Sequence, residues 1–335
     1  MGRCSILFFL ITIALLATSE KAGSKAVWAT FLNAGGWHND GISFCLGFLT
    51  PAFALAGVDA VVHMSEETHH AAVNIPRAMV WSIIINGICG FAYIVTVLYS
   101  IIDVDAVLTN GAATGFPIIE VFHQATQNSR AATAMMCGPI LIFSMAIFGV
   151  TASTSRLTWS FARDRGLPFS SFLSVLTDGN KTPTRAMLLN YIVICLLSLI
   201  NIGSTVAFNA LLSLATISFY SSYALPILLF AIRRHSKTRP IQFGPWRMSR
   251  TLGEISNWVA IAFCTFLVLF LPFPPMLPVT AVNMNWASVV FIGVMGFAVV
   301  DWFVSGKGRF VGPVVEVEGV ESAGEIDAQS FEVKH

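Results

Sequence analysis

The sequence predicts an all-α polytopic membrane protein, and three observations carry that reading. Of 335 residues, 55% are hydrophobic and only 11% charged, where a soluble domain holds about 25% charged residues. The apolar residues gather into eight runs separated by connectors rich in Gly, Pro, Asn or charge, the places where helices stop. Lysine and arginine collect in alternate connectors. A soluble enzyme lacks the polar surface it needs here, and a formal charge of +1 lacks the electrostatic footprint of a nucleic-acid binder.

In chain order the runs are Ile6–Thr18, Ile42–Met64, Ala78–Ile102, Ala131–Phe161, Ala186–Ile202, Val206–Ile232, Ile255–Phe273 and Trp286–Val304. A spanning helix needs roughly 20 apolar residues, so the first run is short and the other seven suffice. All are read as helices, because an open strand edge cannot satisfy its backbone in lipid. Residues 1–313 form the membrane region. Residues 314–335 carry Glu316, Glu318, Glu321, Glu325, Asp327 and Glu332 with little apolar content, the composition of a disordered acidic tail.

Orientation follows from positive charge. With alternating spans, one side holds Arg3, Arg77, Arg163, Arg165, Lys181, Arg185, the cluster Arg233 to Arg250, Lys307, Arg309 and Lys334; the other holds Lys21, Lys25 and Arg130. The C-terminus is therefore expected in the cytoplasm of a multi-pass plasma-membrane protein. The sequon Asn180-Lys181-Thr182 is expected there too, without a glycan. Two readings stay open for the first run: a membrane helix, or a cleaved signal peptide with a basic start, a short apolar core and small residues.

The second run reads FLTPAFALAGVDAVVHMSEE from Phe48 to Glu67. Pro51 lacks an amide hydrogen, Gly57 weakens a helix, and Asp59 puts an acid at mid-depth, where charge is costly and faces a protein interior or a water-filled cavity. Such a stretch predicts a discontinuous helix across Thr50–Asp59, with backbone groups around Ala54–Gly57 free for a polar ligand. Asp59 reads as a ligand contact, as a cap of the second half-helix accepting from amides near Val61 or Val62, or as both at once. The fourth run carries Ser144, Thr151, Thr154, Ser155 and Thr158 at helical spacing, and the sixth carries Asn209, Ser213, Thr216 and Tyr220. Hydroxyls so arranged either line a pathway and coordinate a coupling ion, with Thr154 and Ser155 the candidates, or join helices through hydrogen bonds.

Other chemistry finds no pattern. The six cysteines are scattered, without a C-x-x-C pair, and read as small apolar fillers. Glu66 and Glu67 stand beside His69 and His70, yet no H-E-x-x-H, Walker loop or G-x-S-x-G elbow occurs. No catalytic residue, metal or cofactor is expected, and the protein is not read as an enzyme.

Three long stretches carry a resemblance. Ala52–Met79 reads AFALAGVDAVVHMSEETHHAAVNIPRAM; Thr151–Leu173 reads TASTSRLTWSFARDRGLPFSSFL, followed by TPTRA; Leu199–Leu229 reads LINIGSTVAFNALLSLATISFYSSYALPILL. In this order they resemble the fungal amino-acid/choline permeases, including the GABA and choline permeases, of the amino acid–polyamine–organocation superfamily. The resemblance implies an inverted-repeat transporter fold (5+5 helices, then two more), of which this chain is the C-terminal part, helices five to twelve. That favours a membrane helix over a signal peptide at Ile6–Thr18. It also implies that Phe53, Ala54, Leu55, Ala56 and Gly57 line a substrate pocket, with Asp59 just beyond it and Thr151 on helix eight. Counterparts of helices one to four, which supply the pocket's other wall, are not found in the sequence.

The resulting expectation is a secondary transporter of amino acids, GABA, choline or polyamines, with protons as coupling ion, inactive as an isolated half. The alternative is a seven-helix receptor led by a signal peptide.

Overall fold

A computed structural model describes residues 9–310 apart from positions 11, 15, 18, 178, 180, 237–240, 242, 281 and 282. Asn180, Lys237, Arg239 and the acidic tail therefore lie outside the described residues. Every regular element among those described is helical: α1 (Ser24–Trp28), α2 (Asp40–Gly47), α3 (Leu49–Leu55), a 3-10 helix (Val58–Glu67), α4 (Ala71–Tyr99), α5 (Val104–Thr114), α6 (Pro117–Thr126), α7 (Ser129–Arg163), α8 (Ser170–Leu173), α9 (Thr184–Gly203), α10 (Thr205–Arg234), α11 (Arg250–Phe270) and α12 (Ala287–Asp301), then a π turn (Trp302–Gly306) and α13 (Lys307–Arg309).

Polar residues at the helix starts explain where several elements begin, since the first turn leaves amides without intrahelical partners. Asn39 accepts from the Gly41 amide, Asp103 from Ala106, Asn128 from Arg130 and Ala131, Ser204 from Ala207 and Ser249 from Leu252. Pro117 opens α6, where its missing donor costs nothing.

Six stretches are long and apolar enough to cross a membrane: Asp40–Ser65, Ala71–Tyr99, Ser129–Arg163, Ala210–Arg234, Arg250–Phe270 and Ala287–Arg309. The expected fifth run is α9, a helix of 20 residues, about 30 Å long at 1.5 Å per residue. Its apolar part is Thr184–Ile200. In the first run, the described residues 9, 10, 12–14, 16 and 17 are helical. There Leu16 packs with Phe122, Ala132 and Met135 in one of two buried clusters. The amphipathic pair α5–α6 has no counterpart among the eight runs: its 11 and 10 residues are too short for a span, so hydropathy alone passes over it.

The second cluster positions the site. Ala52 of α3 packs with Ile217 and Tyr220 of α10, Cys264 and Leu267 of α11, Leu271 and Ala287. α10 lies along α11 more extensively than any other described pair. The broken second segment thus rests on a three-helix support.

Candidate functional site

The second segment is irregular at two places, for different reasons. Pro51 has no amide to offer the Gly47 carbonyl, and the helix is interrupted for one residue at Phe48, which itself stays right-handed (φ −68°, ψ −16°) between α2 and α3. The larger break follows Leu55. Ala56 is extended (φ −70°, ψ 160°) and Gly57 left-handed (φ 83°, ψ 15°) before the chain coils into the 3-10 helix. Left-handed backbone at Gly57 avoids the cost that a Cβ would carry. The expected discontinuity within Thr50–Asp59 is present, set by Ala56 and Gly57; the irregularity at Phe48, three residues before Pro51, lies just outside that range.

Two tyrosines of α10 hold the break open. Tyr220 donates its hydroxyl to the Ala52 carbonyl (2.8 Å). Tyr223 accepts from the Gly57 amide (3.1 Å) and donates to Asp59 Oδ1 (2.5 Å). His63 Nε2 lies 3.3 Å from the other carboxylate oxygen, one turn along. From the opposite side, Ser153 of α7 donates to the Ala60 carbonyl (3.2 Å). At the far end Glu67 pairs with Arg156, whose guanidinium stands 5.8 Å from the Trp159 ring.

Asp59 does not cap the 3-10 helix. Gly57 occupies the capping position, with no side-chain cap bond, and the carboxylate turns to Tyr223 and His63. The correction has a physical cause: Tyr223 offers a hydroxyl donor to an acid the membrane cannot solvate, while a residue already inside the first turn is poorly placed to reach that turn's amides.

The break opens onto a groove of about 200 Å³ lined by Ala54, Leu55, Ala56, Gly57, Val58 and Val61, with Ser82, Ile83 and Asn86 of α4 opposite. Four of the five consecutive residues singled out from the sequence, Ala54 to Gly57, are in its wall. Phe53 is exposed. Thr151 and Ser155 are buried on α7, Ser155 bonding the Ala152 carbonyl (2.9 Å). Thr154 is exposed and bonds the Val150 carbonyl of its own helix. Ser144 is likewise exposed and bonds the Ile140 carbonyl, so this chain covers only part of the polar stripe. Thr158 reaches α9 through Asn190 Oδ1 (3.1 Å), as helix-joining hydroxyls do. On α10, Thr216 and Tyr220 are buried and Ser213 partly so; the side chain of Asn209 lies outside the described set. Tyr223, His63, Ser153, Ser82 and Asn86 belong to the arrangement but were not among the expected site residues.

The five described cysteines, Cys45, Cys89, Cys137, Cys195 and Cys264, are free thiols. Among the described residues no cluster of His, Cys, Asp and Glu could hold a metal ion.

A discontinuous membrane helix, clamped by a neighbouring helix and opening onto a groove, is architecture used by carriers of small polar solutes. The sequence profile of the amino acid permease family matches residues 3–297. The chain belongs to the amino acid permease family, a family of polytopic membrane transporters. It is 34% identical to the choline transporter of Saccharomyces cerevisiae over 305 residues, covering 90% of this chain and 53% of that protein. It is 29% identical to the amino-acid permease BAT1 of Arabidopsis thaliana, covering 93% of this chain and 61% of that one. Amino-acid permease 2 of Neurospora crassa is 28% identical, covering 94% and 55%. The chain thus spans little more than half the length of these curated relatives. Membership of this family sets aside the receptor alternative.

Proposed function

We propose that this chain forms one wall of the substrate site in a secondary transporter of small amines, with amino acids, GABA, choline and polyamines as the substrate class. The observation that carries the reading is the opening at Ala56–Gly57, in the interior of the membrane-length segment Asp40–Ser65. The last carbonyls of a helix have no partner within it. In α3 the Ala52 carbonyl is taken by Tyr220 and that of Phe53 by the Ala56 amide. Among the described residues the carbonyls of Ala54 and Leu55 remain, both in groove-lining residues, at the negative end of the helix dipole. A substrate ammonium group is the complementary partner. Phe53, Asp59 and Thr151 act around that contact: Asp59 fixes the opening through Tyr223, and Thr151 packs on the α7 side. Thr154 and Ser155 are the candidates for a coupling path, with protons as coupling ion.

The positive-inside bias supports a cytoplasmic position for the loops bearing Arg163 to Arg185 and Arg233 to Arg250, and for the C-terminus, in a plasma-membrane protein. No catalytic step enters this reading. The test is uptake of radiolabelled amino acids, GABA, choline and putrescine in transporter-deficient cells that also make the N-terminal helices of a family relative. Uptake of at least one solute, lost in Gly57→Leu, is the expected result. Uptake indifferent to that substitution, or none from the paired chains once both are shown in the membrane, would sink the reading.

A further inference from the structure

A second cavity lies far from the break, where α10 ends and α11 begins. It measures about 540 Å³, and its wall includes Arg234, Phe243, Arg247, Met248, Ser249 and Arg250. Three guanidinium groups share one cavity, and among the described residues no acidic side chain lines it. The nearest acid on α11, Glu254, is engaged by His235 Nε2 at 2.9 Å. Arg234 is fixed: it donates to the Arg250 carbonyl (2.8 Å), stands 5.9 Å from the Phe243 ring, and lies against Gly253, where an added Cβ would come within 2.9 Å of its Nη1. Phe243 is itself held edge-on by Phe230 of α10, with ring centroids 6.3 Å apart. Arg247 and Arg250 are exposed.

The positive-inside bias accounts for arginines on this side of the chain. It does not require three of them around one cavity with an aromatic wall. Phosphate groups match guanidinium donors in both geometry and charge, and the first turn of α11 adds the positive end of a 21-residue helix. A lipid source is favoured over a free anion by position and by apolar neighbours. The cavity joins the ends of two membrane-length helices, and Phe243, Trp246 and Met248 are 46%, 44% and 50% exposed among the arginines. Aromatic side chains in such places sit at headgroup level, and basic pockets between membrane helices take anionic headgroups.

We propose that this cavity binds the phosphate-bearing headgroup of an anionic phospholipid and that the bound lipid clamps the α10–α11 hairpin. The experiment uses the full chain in neutral detergent, with its thermal unfolding midpoint followed against added dioctanoyl phosphatidylinositol 4-phosphate, dioctanoyl phosphatidylglycerol, dioctanoyl phosphatidylcholine or inorganic phosphate. Both anionic lipids should raise the midpoint, with half-effect concentrations at least tenfold below those of phosphatidylcholine and inorganic phosphate. The double variant R247Q/R250Q should raise the anionic half-effect concentration at least fivefold. Gly253→Ala, which displaces Arg234 from the opposite wall by moving only the end of a flexible side chain, should weaken it too and is the independent variant if the first does not fold. An unchanged response in the folded variants overturns the proposal. So does inorganic phosphate acting at the lipid's concentration, which marks a free-anion site, or phosphatidylcholine doing so, which marks general solvation by lipid.

Discussion

Tyr223 is the residue on which the geometry of the break depends, because one hydroxyl serves both sides of it: acceptor for the Gly57 amide and donor to Asp59. Tyr223→Phe removes both bonds and leaves a partly buried acid with only His63 beside it. A polar group left without its partner costs about 1–3 kcal/mol, and hydrogen bonds between membrane helices average nearer 0.6 kcal/mol. Tyr223→Phe should therefore destabilise the chain by about 1–2 kcal/mol, and Tyr220→Phe, which loses one bond to a carbonyl, by less. Denaturant unfolding of both variants in mixed micelles checks the order, and a reversed order would contradict the clamp. Asp59→Asn, which keeps an acceptor oxygen for Tyr223, should fall between Tyr223→Phe and the unaltered protein. Asp59 stood out in the sequence because an acid in an apolar run is conspicuous. Tyr223 did not, because a tyrosine three residues beyond Tyr220 reads as interior packing, and only the approach of α10 to the break reveals what its hydroxyl meets. Ser153 was missed for a related reason: helical spacing set it off the stripe through Thr151 and Ser155, yet the approach of the 3-10 helix gives it a carbonyl.

At the scale of elements, the seven longer runs emerge as helices near their expected positions because apolar length is what the bilayer selects. The discontinuity was also legible, since Pro51 and Gly57 act through the backbone of their own segment and need no tertiary knowledge. The pair α5–α6 was not legible: α5 packs on α6 and α6 on the start of α7, contacts that hydropathy does not select. The polar stripe of α7 lies on one helical face, but spacing fixes only relative direction, and the neighbours decide which members are covered: Thr151 and Ser155 are buried, Ser144 and Thr154 exposed. The cost of the Gly57 conformation can be isolated. An added Cβ there meets nothing within 4 Å, so Gly57→Ala changes the backbone term alone. Left-handed backbone costs an L-residue about 1–2 kcal/mol, and Gly57→Ala should lose about that much stability. Gly87, inside α4 with equally open surroundings, is the matched control: Gly87→Ala should be neutral or gain up to about 1 kcal/mol from helix propensity. Thermal unfolding in detergent compares the two, and equal effects would mean that the left-handed turn is not under strain when substituted.

Across the whole molecule, the chain leaves much of its apolar surface without protein cover. None of the most apolar stretch of α4 is buried within the chain, and only 11% of that of α7 is. These two helices contribute one wall of the groove and the Ser153 contact to the break. Lipid suits their apolar side chains but not the groove, whose carbonyls need a polar occupant. A zwitterion entering it gives up its hydration, and burying either charge without a partner is costly. On the proposed reading the ammonium end meets the carbonyls of Ala54 and Leu55, while Ser82 and Asn86 opposite offer no positive charge to a carboxylate. The 335-residue chain reconstituted alone into vesicles should therefore insert, resist carbonate extraction, and show no saturable uptake of amino acids, GABA or choline. Transporters built from inverted repeats bind substrate where the repeats meet, so adding the N-terminal helices of a relative as a separate polypeptide should restore uptake, because membrane bundles assemble from preformed helices. Restored uptake should be lost in Gly57→Leu, which places a side chain in the wall of the groove. Saturable, concentrative uptake by the chain alone, sensitive to the same substitution, would show instead that this wall suffices or that two copies of the chain complete the site between them. Cross-linking before reconstitution distinguishes those two outcomes, since only the second depends on a dimer.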